Sequence, residues 1–220
     1  GKTQSDDTHK KIIPYALNGG EDITLTDLQD VRSDFYKSMD NQAMYWQIPS
    51  IQAFHSIVPG SIMEFYPTIG VTRDVGSRPD IQYYGLRGLT SCKYLFDDIQ
   101  DSNYFSDLDS EPQMPGWKLI DTQNGFDIWE NQYYIPMGFS YDYYITRTEY
   151  EQSVSESLRH LLLLKAVVVE DEDAGNWEGV LQHLNLDGVS YTEAAYYKDC
   201  LDRRAVSCGS FSRDNSGFTA

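Results

Sequence analysis

The stretch Trp117-Lys-Leu-Ile-Asp121-Thr-Gln-Asn-Gly125-Phe126-Asp-Ile-Trp-Glu130 decides the fold class. Two runs rich in aromatic and β-branched residues flank Asn124-Gly125, the pair best suited to the positive backbone angles of a tight hairpin turn. An antiparallel hairpin is therefore expected at the middle of the chain. Outward from it, Lys93 to Phe96 reads as a short strand, Arg32 to Ser38 as another with Phe35 opposite Asp34 and Tyr36, and Met137 to Ile145 as a further one.

Helices are expected on either side of this strand-rich centre. Ser61 to Ile69 places Ile62, Phe65 and Ile69 on one face, with Pro67 ending it early. Pro79 suits a first helical turn, and Ile81, Tyr84 and Leu89 form the expected buried stripe of a segment ending near Gly88. Thr26-x-x-Gln29, Thr148-x-x-Glu151 and Ser190-x-x-Glu193 have the form of capping boxes. The second opens the clearest helix, with Val154, Leu158, Leu161 and Leu162 along its inner face, and the third opens a helix through about Arg204. Arg203 and Arg204 there suit the negative pole of the helix dipole. Asn176 to Leu184 reads as a shorter helix. Strands and helices interleave irregularly, so the expected class is α+β: a mixed or antiparallel sheet with a central hairpin and several packed helices. Residues 1–20 read as a flexible lead-in, 21–210 as one domain, and 211–220 as the start of a truncated β-rich element.

The chain has 220 residues and a formal charge of −17, from 34 acidic and 17 basic side chains. Such a field repels phosphate backbones and forgoes counterion release, which excludes nucleic acid as an expected partner. At 40% hydrophobic and 14% aromatic content, the sequence is nevertheless a folding one. No run approaches the roughly 18 apolar residues of a membrane span. Asp97 to Gly116, acidic and carrying Pro112 and Pro115, reads as an exposed loop.

Chemistry-bearing patterns are sparse. Gly138-Phe-Ser140-Tyr-Asp142 approaches a nucleophile elbow, but Asp142 replaces the second glycine and a strand follows. His9, His55, His160 and His183 are scattered, with His160 read as a solvent-side residue, and no Cys or His spacing suits zinc. Asp107 with Asp109 and Asp171 with Asp173 lack the calcium-loop glycine and glutamate. No catalytic residue, metal ligand or cofactor is therefore expected. Cys200 and Cys208 either pair or remain free, while Cys92 reads as a buried thiol. Trp117, Trp129, Tyr133, Tyr134, Tyr141, Tyr143 and Tyr144 lie near Asp127, Asn131 and Asp142, a composition that suits either a sugar-binding surface or ordinary strand packing. Arg78, Asn131, Tyr141 and Asp142 are the binding candidates. Arg78 is a fork-shaped donor for a phosphate or carboxylate, or a clamp on a helix start, and Asn131 a ligand to hydroxyls or a tie on its own turn.

Three ordered stretches carry a resemblance. They are Trp46-Gln-Ile-Pro-Ser-Ile-Gln-Ala-Phe-His-Ser-Ile57 with Met63-Glu-Phe-Tyr66 and Gly70; Ser77-Arg-Pro79 leading through Leu86 and Leu89 to Lys93-Tyr-Leu-Phe96; and Ile128-Trp-Glu-Asn131 with Ile135-Pro-Met-Gly-Phe139. Together they resemble the YfhO family of bacterial multi-spanning membrane proteins over roughly residues 32–170. Trp129 stands where tyrosine is commoner in that family, and the acidic segment from Asp97 looks like an insertion. The resemblance implies an extracytoplasmic domain of a parent with many membrane helices of the GT-C glycosyltransferase type, using a polyprenyl-phosphate sugar. It also implies a place at the cell membrane, a membrane-embedded part of the same polypeptide as partner, and a teichoic acid or related envelope glycopolymer as a second one. The carboxylate that performs the chemistry would lie in membrane loops outside this chain.

Overall fold

The computed structural model describes residues 23–28, 30–54, 60–72, 76–100, 104–214 and 217–219. His9, His55 and the expected lead-in lie outside them, as does Gln29 of the first expected capping box. The fold is α+β. Its chain divides into two compact units, Gly1–Ile57 with Arg73–Ile81 and Cys92–Gln132, and Val58–Thr72 with Gln82–Ser91 and Tyr133–Ala220.

Unit 1 is built on a four-stranded sheet in the order β1-β4-β6-β5, from β1 (Arg32–Tyr36), β4 (Cys92–Asp98), β5 (Trp117–Gln123) and β6 (Phe126–Asn131). The expected hairpin is present: β5 and β6 pair antiparallel, and Asn124 and Gly125 take φ values of 47° and 77°. Strand β4 runs antiparallel to β6 and parallel to β1, which makes the sheet mixed. Aromatic rings fill it. Phe96 meets Phe35 at 5.2 Å and Trp46 at 5.5 Å, and Trp46, just after the short helix α1 (Gln42–Tyr45), stands edge-on to Phe126 at 4.8 Å. Strand β1 is buried on both faces, because Asp34 is not turned to solvent. Its carboxylate accepts from Gln52 Nε2 at 2.5 Å and from the Phe35 N–H at 2.9 Å. A two-residue pair, β2 (Ala53–Phe54) with β3 (Gly76–Ser77), completes the unit.

The acidic segment after β4 is exposed over residues 107–111, as expected, but it is pinned by residues that are not. Phe105 and Met114 are fully buried, and the Phe105 ring sits against Tyr36, Trp117 and Trp129. The buried Asp97 carboxylate accepts the Phe105 N–H at 2.7 Å, so a charge that looked solvated anchors the loop. Asp107 Oδ1 similarly accepts the N–H groups of Asp109 and Glu111, forming a polar turn.

Unit 2 packs helices around a small parallel sheet, β8-β7-β9: β7 (Tyr143–Thr146), β8 (Val167–Val169) and β9 (Gln182–His183). Helix α2 (Gly60–Thr68) continues one residue past Pro67, since a proline in a last turn forfeits only one bond. The expected helix from Pro79 is a 3₁₀ turn, Ile81–Tyr83, followed by α3 (Gly85–Leu89), and Leu86 rather than Ile81 or Tyr84 is the deeply buried residue. The clearest expected helix is two: α4 (Arg147–Ser153) and α5 (Glu156–Leu162), broken where Val154 is extended. Its capping box is two residues earlier than expected, with Thr146 and Glu149 bonding reciprocally. Asn176 to Leu184 is not a helix. Only α6 (Ala174–Trp177) forms, because Gly179 at φ +87° turns the chain into β9. Helix α7 (Glu193–Ala205) starts from Thr192, whose hydroxyl accepts the Ala195 N–H, in place of Ser190. Strands β10 (Ser212–Asp214) and β11 (Gly217–Thr219) pair antiparallel.

The core of unit 2 is aliphatic with embedded tyrosines, including Ile69, Leu86, Ile145, Tyr150 and Leu162. His160 belongs to this interior and not to the solvent face expected of it. Its Nδ1 accepts the Gly85 N–H at 3.0 Å, and a Cβ on Gly85 would stand 2.8 Å from the same nitrogen. Glycine is required there for the ring to approach the backbone. No helix among the described residues is long and apolar enough to cross a membrane.

Candidate functional site

Helix α7 builds one wall of an open groove in unit 2. Its thirteen residues follow a 3.6-residue period, which buries Tyr196, Cys200 and Arg203. Lys198, Asp199 and Asp202 consequently lie alongside, facing an open groove of about 270 Å³. Lys165, just after α5, and Tyr143, at the start of β7, form other parts of its wall, with Leu184 and the turn Gly188–Ser190.

The charged groups are arranged in couples. Lys165 Nζ donates to Asp199 Oδ2, with only 13% and 15% of the two side chains exposed, so this pair is well shielded from water. Burial nevertheless pushes the Asp199 carboxyl above its ordinary range, outweighing the pull of Lys165. Lys198 Nζ and Asp202 Oδ2, one helical turn apart, are 2.5 Å from each other and more open. Tyr143 is more than a third exposed, and its side chain makes no hydrogen bond or ring contact among the described residues.

Arg203 forms the groove's rigid back. Its Nη1 donates to the Ser140 carbonyl, its Nη2 to Asp142 Oδ2 at 3.2 Å, and its guanidinium lies 5.4 Å from the Tyr141 ring centre. Two of the four expected binding residues thus meet at one arginine. Tyr141 donates its hydroxyl to the Leu163 carbonyl at 2.6 Å, and burial raises its pKa well above the usual phenol value. This is a structural tyrosine.

Arg78 and Asn131 belong to unit 1. Arg78 is half-exposed and paired with Asp40. Asn131 is buried and donates from Nδ2 to the Cys92 carbonyl at 3.2 Å, tying β6 to the start of β4. The expected aromatic surface is divided as well. Trp117 and Trp129 are core residues of unit 1, while Tyr133 stacks on Tyr197 at 4.0 Å in unit 2. The Gly138 to Asp142 segment leads into strand β7, and Gly138, at φ +76°, sits where a Cβ would lie 2.4 Å from Cys208 Sγ. All three cysteines are free thiols. Among the described residues no group of His, Cys, Asp and Glu side chains could hold a metal ion.

No family model, curated protein or solved structure matches this chain.

The groove was not legible beforehand, although one trace was. Lys198-Asp199 and Asp202-Arg203 repeat opposite charges at a spacing of four on one helix. Lys165 and Tyr143 join them only through the fold.

Proposed function

We propose that the chain is the extracytoplasmic part of a YfhO-like membrane protein that glycosylates a cell-envelope polymer such as a teichoic acid, and that it is not catalytic alone. The reacting sugar would be carried on a polyprenyl phosphate. The catalytic carboxylate would belong to the membrane-embedded part of the same polypeptide, and the role of this chain is to receive or orient the acceptor.

The observation that carries the reading is where the resemblance residues lie within each unit. Trp46, Ile48, Ile51, Leu95, Phe96, Ile128 and Asn131 are buried in unit 1. In unit 2, Leu86 and Ile135 are buried, and Gly70, at φ +77°, would bring a Cβ within 2.5 Å of Glu156 Oε1. Residues of this kind specify a scaffold, so a resemblance resting on them concerns a shared fold and topology rather than an active site. A second reading, a scaffold that binds a protein or carbohydrate partner, is favoured by the groove on α7 alone.

Membrane placement is testable with the chain in its natural sequence context. Leu108 is fully exposed, so Leu108→Cys in a Cys208→Ser background offers a labelling site while the buried Cys92 and Cys200 stay protected. A membrane-impermeant maleimide is expected to label intact cells. Labelling only after permeabilisation would refute the extracytoplasmic assignment.

A further inference from the structure

We propose that the groove on α7 is a binding site for one neutral saccharide ring. The inference stands on the groove and does not rest on the membrane assignment above.

The argument begins with the couples. A carboxylate accepts only and an ammonium donates only, so a site for a simple anion or cation is built from one kind. Here Asp199 Oδ2 is held by Lys165 and Asp202 Oδ2 by Lys198, while the Oδ1 oxygens of both aspartates have no partner among the described residues. Each ammonium also retains unused donors, since it can make three hydrogen bonds. Free acceptors therefore stand beside free donors at two neighbouring points. Adjacent hydroxyls, each able to donate and accept, satisfy both members of such a couple. A phosphate would meet the Asp199 and Asp202 charges, and an amine would meet Lys165 and Lys198, each at close range.

Size and wall chemistry agree. About 270 Å³ falls just below the usual range of ligand pockets, which run from roughly 300 Å³ upward, and so limits the occupant to a unit of single-sugar size. Tyr143 supplies a flat, uncommitted ring on one side, the surface on which the C–H face of a pyranose packs. Lining charges are nearly balanced, with Lys165, Lys198 and Arg203 against Asp199 and Asp202, and Asp142 pairing Arg203. On a chain of −17 this is a locally neutral place, so neutral ligands are not penalised by desolvating an unpaired charge.

The test is a titration of the isotopically labelled 220-residue chain with methyl pyranosides of glucose, galactose and N-acetylglucosamine, followed by amide chemical shifts. At least one pyranoside is expected to move the amides of Tyr143, Ser190, Lys198 and Asp202 saturably, with ribitol weaker because it lacks a ring face. Tyr143→Ala should weaken binding about tenfold, the loss of a stacked ring face and its buried area. Asp202→Asn, which keeps the shape and removes the charged acceptor, should weaken it several-fold, so the proposal does not depend on one variant folding. Pyranosides that leave these amides unmoved would overturn it, as would shifts that persist undiminished in both variants. Inorganic phosphate acting as strongly as the best pyranoside would also overturn it, in favour of an anion site. None of these outcomes bears on the labelling of Leu108→Cys, so the two readings fail separately.

Discussion

Unit 1 and unit 2 differ in where their polar side chains find partners. In unit 1 the buried polar side chains are short and answer backbone groups: Asp34 its neighbour Phe35, Asp97 the Phe105 N–H, Asn131 the Cys92 carbonyl. They lock strands and a loop to one another among stacked aromatic rings. In unit 2 the buried His160 and Arg203 also answer backbone groups, but charged side chains on α7 pair in addition with one another and with Lys165 at the wall of a groove. The difference indicates where evolution can alter function cheaply. A polar group that satisfies backbone in a core cannot change without leaving that backbone unpaired, whereas a solvent-side couple can be re-tuned.

The comparison is broken most forcefully at the centre of unit 1. Phe96 is fully buried among Phe35 and Trp46, and Phe96→Ala should cost about 3–5 kcal/mol. Urea unfolding with hydrogen exchange would show it. Loss of protection throughout β1, β4 and β6 is expected, and a cost under about 1 kcal/mol would mean that the rings are not a continuous core.

In unit 2 the vulnerable buried group is a titratable one. Burial, with the nearby Arg87 charge, lowers the His160 pKa from 6.5 to about 4, and Nδ1 must be unprotonated to accept from Gly85. The folded state therefore resists a proton that the unfolded chain takes up. Above pH 6.5 both states are neutral and nothing changes. As pH falls from there towards 4, stability drops by an amount on the order of 3 kcal/mol, and the contribution then levels off. His160→Asn, which retains an acceptor without a titration, should flatten this part of the pH profile of the unfolding midpoint. An unchanged slope would show that His160 is not its source.

Asn131 sharpens the contrast from the side of unit 1. Asn131→Ala removes the buried amide and its bond to the Cys92 carbonyl, with an expected cost of about 1–3 kcal/mol. Thermal unfolding measures it. A sugar-contacting role would instead predict near-normal stability.

How much of this was legible depends on whether the signal is local. Asn124-Gly125 between two aromatic strands specified the β5–β6 hairpin, because turn chemistry and strand propensity both act within a few residues. Two helix starts were found to within two residues, since Thr146 and Thr148, or Ser190 and Thr192, are equally good caps until packing selects one. The burial of His160 and of the Phe105 anchor in the acidic loop was illegible for a different reason. Residue type and local polarity place both in solvent, while their burial is set by partners far along the chain: Gly85 for His160, and the Tyr36, Trp117 and Trp129 rings for Phe105. Of the four binding candidates, Tyr141 and Asp142 contact Arg203 without lining the groove themselves, and the residues that line it come from four separate stretches. No spacing rule could have assembled them.

The smallest effect is expected at Arg78, where the two units' styles meet in one side chain. Arg78 pairs with Asp40 as the groove residues pair with one another, yet both partners are nearly half exposed, and the nearby cavity is only about 20 Å³, room for a water and not for a ligand. Water screens such a pair, and ordering two long or mobile side chains offsets much of the attraction. Arg78→Ala should therefore change stability by less than about 1 kcal/mol and leave pyranoside-induced shifts on α7 untouched. Chemical denaturation and the same titration decide the matter together. A large loss of stability would make Arg78 a clamp on the turn before Ile81, in the manner of Asn131. Altered pyranoside shifts with stability unchanged would instead place Arg78 in recognition, and the α7 groove would no longer account for sugar binding by itself.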